Sequence, residues 1–269
     1  MSATRRLVLG ASLAALAAPA LALDPGVASG AFAFDGAKFD LKHAIALSQD
    51  NAEGLLENGP QIRVVLSDIE VPIASLYGVG FPPVLGMARE AAVSGLMLEF
   101  APKSPTAMHV TMLSKPKELG ASLTNLSMAN SAGIFKRLEV SANRVSGDYD
   151  DGSDVKFSFS APVFTDPVQA DLQGPAAQAS EQIRVLIARA EALQRGDLPA
   201  AVALSSKVSR IGEMPPEVLK QAAQAMPQMI KDLKAVKRVV VRQSTAVALQ
   251  GRGSWASLVL ENGAWKVAD

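Results

Sequence analysis

From Phe39 to Leu47 apolar and polar residues alternate, and short runs with the same two-residue period recur up to about residue 165. Such alternation is the signature of a strand with one covered face. The runs predict strands at Gln61–Ser67, Gly95–Phe100, Thr106–Leu113, Ser122–Met128, Phe135–Val140, Asn143–Tyr149 and Val155–Val163. Ahead of them, Asp35-Gly36 is a favoured two-residue hairpin turn. In the second strand of that hairpin, Phe39, Leu41, His43, Ile45 and Leu47 share one face, and Lys38, Asp40 and Lys42 the other. PPVLGMAREAAV, Pro82 to Val93, reads as a short helix. Strands at this spacing, punctuated by Gly, Pro, Asn and Asp, predict an antiparallel β-sandwich or barrel over residues 23–170.

Past residue 178 the period lengthens to that of a helix. In SEQIRVLIARAEALQRGD, Ile183, Leu186, Ile187, Ala190 and Leu193 fall on one face; Gly196 suits the helix end and Asp197 caps the next helix, LPAAVALSSKV. A third helix, PPEVLKQAAQAMPQMIKDLKAV, carries Pro227, which should kink it. The period then returns to two in KRVVVRQ, TAVALQG, SWASLVLE and AWKVAD, predicting four strands. Asn262-Gly263 has the residues of a type I′ turn, which sets Glu261 opposite Ala264, Leu260 opposite Trp265 and Leu258 opposite Val267. Leu258, Leu260, Trp265 and Val267 then line one face, and the three helices are its available cover.

The two textures predict two domains. All nine Phe lie between Phe32 and Phe164, both His and both Tyr lie in that same portion, and both Trp follow it. The Pro/Gly/Ala-bearing stretch from Asp166 to Ala179 separates them, with residues 171–177 as the linker and 178–269 as the second domain. The predicted fold class is therefore α+β, a β-sandwich or barrel followed by helices packed on a curved antiparallel sheet.

Helices followed by a meander ending in Gly263-Ala264-Trp265-Lys266-Val267 resemble the cone-shaped α+β fold shared by nuclear transport factor and the ketosteroid isomerases, especially its small exported bacterial versions. The resemblance covers about residues 178–269. It implies a pocket between sheet and helices, with Trp265, Leu260, Leu258 and Trp255 lining either that pocket or a filled core. Isomerase-type members use a carboxylate base with a Tyr or protonated acid as oxyanion donor, and dehydratase-type members a His–Asp pair. Residues 178–269 contain no His and no Tyr, which leaves carboxylates such as Asp232 and Glu191, both better read as solvated helix faces. In the first domain, FDGAKFDLKHAIAL, RVVLSD, NRVSGDYDD and KFSFSAPV are similar to modules of exported bacterial proteins, and the likeness implies architecture alone.

Export is also what the first 22 residues predict. Arg5 and Arg6 precede a 12-residue apolar run, Leu7 to Ala18, and the small-residue site Ala20-Leu21-Ala22. The run is short of the roughly 20 residues a membrane-crossing helix needs. Thr4-Arg5-Arg6-Leu7-Val8-Leu9 resembles the twin-arginine signal of bacterial exported proteins, and general secretory export suits the same residues. Cleavage after Ala22 removes Arg5 and Arg6, leaving 24 basic against 26 acidic residues and a net charge of about −2. That balance offers no basic stripe for nucleic acid and no polybasic membrane anchor. With no cysteine there is neither a disulfide framework nor a lipid-anchoring thiol.

Candidate chemistry is sparse. His43 and His109 lie in separate strands with no carboxylate motif beside them, so no metal site is expected. GDYDDGSD, Gly147 to Asp154, departs from calcium-loop spacing, because Gly152 takes the fifth position where the sixth is needed. Arg195-Gly196-Asp197 spells an adhesion tripeptide but stands between two helices. No nucleophile elbow, phosphate loop or dinucleotide fingerprint is present. The expectation is a periplasmic or secreted protein without catalytic residues or cofactor, binding a small apolar ligand or an envelope protein. The alternatives are a small-molecule enzyme of isomerase or hydrolase type in the cone pocket, or a purely structural envelope component.

Overall fold

The computed structural model describes residues 26–34, 37–52, 54, 59–78, 82–90, 92–113, 125–129, 135–150, 152, 155–209, 211–249 and 255–268. The predicted export signal and the Asp35-Gly36 turn lie outside the described residues, as does the side chain of Trp255.

Among the described residues, ten strands make the first sheet: β1 (Val27–Phe34), β2 (Ala37–Asp40), β3 (His43–Gln49), β4 (Gln61–Ser67), β5 (Gly95–Ala101), β6 (Ser104–Leu113), β7 (Asn125–Ala129), β8 (Phe135–Val140), β9 (Arg144–Asp150) and β10 (Lys156–Thr165). Their order is β7-β6-β5-β4-β3-β1-β10-β9-β8, with β2 on β1. The pairings are antiparallel except that β10 also runs parallel to β3, and the sheet curls into a half-barrel. Its inner face is packed with Ile62, Val64, Leu98, Phe100, Met108, Val110, Phe157 and Phe159. Gly147 points inward opposite Phe159, and a Cβ there would stand 2.8 Å from that ring, so glycine is what lets the ring lie against β9. On the outer face of β3 to β6, a 3-10 turn (Ile73–Leu76) and α1 (Pro83–Arg89) bury Leu47, Val65, Met97 and Leu113. Strand β4 is therefore covered on both sides, which is why Val64, Val65 and Leu66 follow one another with no polar residue between them and all three are buried.

The expected single face from Phe39 to Leu47 is corrected by the structure. Phe39 and Leu41 point inward with Ala44 and Ala46, whereas Ile45 and Leu47 pack outward against the α1 side, and His43 is half-buried. The chain changes partners at this point: the Leu41 amide bonds Gly30 and the Lys42 amide bonds Ser67. That step from β1 to β4 ends one strand and inverts the parity of the next.

The second sheet runs β11 (Val168–Gln173), β12 (Arg238–Arg242), β13 (Thr245–Leu249), β14 (Trp255–Glu261), β15 (Ala264–Val267), all antiparallel. Between β11 and β12 come α2 (Pro175–Gln178), α3 (Glu181–Gln194), α4 (Leu198–Ala203) and α5 (Pro216–Lys234), the last continuing through Pro227. The helix caps are the expected ones: Ser180 Oγ accepts from the Ile183 amide and Asp197 Oδ1 from the Ala200 amide, with Gly196 at φ +71° between α3 and α4. Residues 171–177, expected as a linker, hold the end of β11 and most of α2; Asp171 and Leu172 pair with Val240 and Val239. The chain passes from the first sheet to the second through two residues, Asp166 and Pro167.

The terminal hairpin has the expected register, Leu260 opposite Trp265 and Leu258 opposite Val267, around Asn262 and Gly263 at φ +51° and +76°. Leu258, Trp265 and Val267 join Ile183, Leu186 and Leu233 in the core between sheet and helices. Leu260, expected on that covered face, is exposed: α3 packs on β15 and β13, and Leu260 lies beyond that cover.

Candidate functional site at the junction of the two sheets

The second sheet is covered on both faces. Val239, Ala246, Ala248 and Leu258 point toward the helices, and the alternate residues Val240 and Val259 are also buried. The far cover is the first sheet. Leu47, Ser48, Gln49 and Asp50 at the end of β3, with Tyr77 and Gly78 after the 3-10 turn, face Thr245, Val247, Ser257 and Val259 across a cavity of about 60 Å³. At roughly 15 Å³ per molecule, that holds about four waters.

Among the described residues, three charged side chains stand at this cavity: Asp50, Asp166 and Arg242. Arg242 ends β12 and forks onto Asp50, its Nη2 donating at 2.5 Å and its Nη1 at 3.2 Å. Four residues earlier on the same strand face, Arg238 donates to Asp171 through Nε and Nη2 and to the Ala52 carbonyl through Nη2. The two arginines thus hold the Asp50–Ala52 loop of the first sheet against the second. Asp166, at the crossing, is 7 % exposed. Its Oδ1 accepts from the Ser244 amide at 2.6 Å and its Oδ2 from the Thr245 hydroxyl at 2.5 Å, which fixes the turn between β12 and β13.

The loop bearing Tyr77 is anchored from inside the first sheet. Arg63 on β4, 3 % exposed, pairs with Glu99 across the ladder at 2.7 Å. Its Nη1 donates to the carbonyls of Leu76 and Gly78, on either side of Tyr77. Burial, and then the Asp166 charge, push the Tyr77 phenol up to about 12, against smaller opposing effects of the Ser244 hydrogen bond and Arg242. The phenol is therefore a neutral hydrogen-bonding group at ordinary pH. Because the folded state holds this proton more tightly than the unfolded chain, stability is full below pH 10 and falls as pH rises from about 10 to about 12. In a Tyr149→Phe background, which leaves Tyr77 as the single tyrosine, ultraviolet titration of the phenolate should show a midpoint near 12 while the chain stays folded. A midpoint near 10 would mean that Tyr77 is not enclosed at the junction.

The residues singled out in the sequence lie elsewhere. His43 is half-buried on β3 and His109 is exposed on β6 between buried Met108 and Val110. Asp232 accepts from Gln228 on α5 and is exposed; Glu191 is half-buried on α3. In the acidic turn, Asp148 pairs with Arg137, and Asp150 with Lys136 and Lys156. The hydrogen bond from Lys136 and the Gly152 amide hold Asp150 down to about 2. Among the described residues no group of three or more His, Asp or Glu is placed to hold a metal. No described helix is long and apolar enough to cross a membrane. Of the four expected pocket-lining residues, Leu258 touches the junction cavity from β14, Trp265 lies in the core on the helix side, and Leu260 faces solvent.

The junction residues themselves escape sequence reasoning, since Asp50, Tyr77, Asp166 and Arg242 come from four distant segments. One signal was present. Arg-Val-Val-Val-Arg, 238 to 242, puts two cations on one face of an apolar strand, and a strand needs a carboxylate or carbonyl partner there. The chain matches no protein-family model, no curated protein and no solved structure.

Proposed function

We propose that this chain is an exported, periplasmic or secreted protein that binds a small molecule without transforming it, and that the junction cavity is its binding site. The observation that carries this reading is the cavity itself: apolar walls from Leu47, Val247 and Val259, with Asp166, Arg242 and Tyr77 converging on it. Small-molecule sites have this composition, an apolar lining with a few placed polar groups. Asp166 and Arg242 are engaged by neighbours that fix their geometry, and the Tyr77 phenol is held neutral, so the arrangement suits holding over catalysis.

Export is proposed from Arg5, Arg6, the apolar run and the Ala20-Leu21-Ala22 site. In this reading residues 23–170 form a sandwich- or barrel-like domain and residues 178–269 a cone-like α+β domain completed by β11. The pocket that the cone resemblance implies is taken up here by Trp265, Ile183, Leu186 and Leu233. Binding therefore moves to the opposite face of the same sheet.

The test is a thermal-shift comparison of the full chain and Val247→Phe, with and without a low-molecular-weight periplasmic extract. Val247 is half-buried on the cavity wall, so a larger ring there is expected to fill the space while Asp166 and Arg242 are kept in the sequence. The extract should raise the melting temperature of the parent chain and leave the variant unchanged. Equal shifts, or none in either protein, would refute the junction site.

A further inference from the structure

We propose that the junction cavity takes a small organic monocation, a primary ammonium with a short apolar body, seated on Asp166. This rests on the reading of the cavity as a binding site and adds the chemical class of its occupant.

The argument is one of charge. Of the three charged side chains that the described residues place at the cavity, Arg242 and Asp50 neutralise each other through a two-pronged ion pair. The other arginines close to the junction have carboxylates of their own, Arg63 with Glu99 and Arg238 with Asp171. Among the described residues at the cavity, that leaves Asp166 as the charge with no oppositely charged side chain bound to it. The donors it accepts from, the Ser244 amide and the Thr245 hydroxyl, are both neutral. Asp166 is 7 % exposed, and a buried carboxylate held by neutral donors favours a directly bound positive charge. A carboxylate also offers about four acceptor positions, so two neutral donors leave room for more.

The cavity beside Asp166 is where the missing charge fits. A site for an anion would need a free cation, and Arg242 is committed to Asp50. A divalent metal would need more oxygen ligands than the single Asp166 carboxylate supplies. A neutral ligand would leave the charge where it is. An ammonium group brings one positive charge and three donors, and the Leu47, Val247 and Val259 walls receive an alkyl body. The volume of about 60 Å³ limits the enclosed part to about four heavy atoms.

The experiment compares three probes of nearly equal size and different charge, n-propylammonium, 1-propanol and propionate, at matched ionic strength. Binding to the full chain is read by calorimetry and by melting temperature, with Asp166→Asn and Val247→Phe as variants. Propylammonium should bind saturably and the other two should not; Asp166→Asn should weaken it by about tenfold or more, and Val247→Phe should abolish it. If Asp166→Asn does not fold, because the Ser244–Thr245 turn loses its anchor, the probe selectivity and Val247→Phe still decide. Propanol or propionate binding as well as propylammonium, with loss in Val247→Phe, would overturn the cation assignment and leave the cavity reading standing. Failure of all three to bind the parent chain would overturn the assignment, and together with a null result from the extract it would remove the binding site itself.

Discussion

Trp265→Ala is expected to destabilise the protein by about 3–5 kcal/mol, the range for removing a large buried aromatic that leaves a cavity. The indole is 9 % exposed and packs with Ile183, Leu186, Leu233, Leu258 and Val267, residues contributed by α3, α5, β14 and β15. Four elements meet there, so collapse around the vacancy is limited. Lys266 is the matched control, one residue along and on the opposite face. Its ammonium donates to the Ala203 carbonyl at the surface, and Lys266→Ala should cost under about 0.5 kcal/mol. Chemical denaturation followed by circular dichroism measures both. Reversed magnitudes would mean that the Asn262-Gly263 turn sets a register shifted by one residue.

Arg63→Met is expected to cost about 3 kcal/mol, the lower end for breaking a buried ion pair, because Glu99 keeps part of its water. Methionine replaces most of the volume, so the loss is polar in origin. It strands Glu99 and removes the donor from the carbonyls of Leu76 and Gly78. Those carbonyls flank Tyr77, so the same change should loosen one wall of the junction cavity and weaken ligand-induced stabilisation. Glu99→Gln, which leaves the two carbonyl bonds of Arg63 in place, should cost clearly less. Equal losses in the two variants would mean that Arg63 acts through the ion pair alone and does not hold the Tyr77 loop.

How much of this was legible in the sequence depended on distance along the chain. The caps at Ser180 and Asp197, the face of α3 and the register of the last hairpin are set by residues within a few positions of one another, and their local chemistry is specific. Strand β11 was not legible. It is an edge strand whose Gln169, Asp171 and Gln173 are exposed, so it has no apolar run to announce it, and the Pro and Gly that follow it read as a linker. The parity change at Leu41–Lys42 was hidden as well, because it follows from a change of hydrogen-bonding partner and the alternation continues across it. The exposure of Leu260 depends on where α3 ends its cover, which no pattern on β14 records. At the candidate site the limit is sharper. Asp50 and Arg242 stand 192 residues apart, and Asp166 and Thr245 stand 79 apart. A buried carboxylate at Asp166 and paired arginines on β12 acquire meaning once the two sheets are set face to face.

The central claim is that the space between these sheets is a ligand site, and native mass spectrometry of the full chain recovered from its own cells tests it most directly. The account predicts a population carrying a small bound mass, released on gentle activation and missing from Val247→Phe prepared in the same way. A spectrum holding nothing but the bare chain, or an adduct that persists unchanged in Val247→Phe, would contradict it.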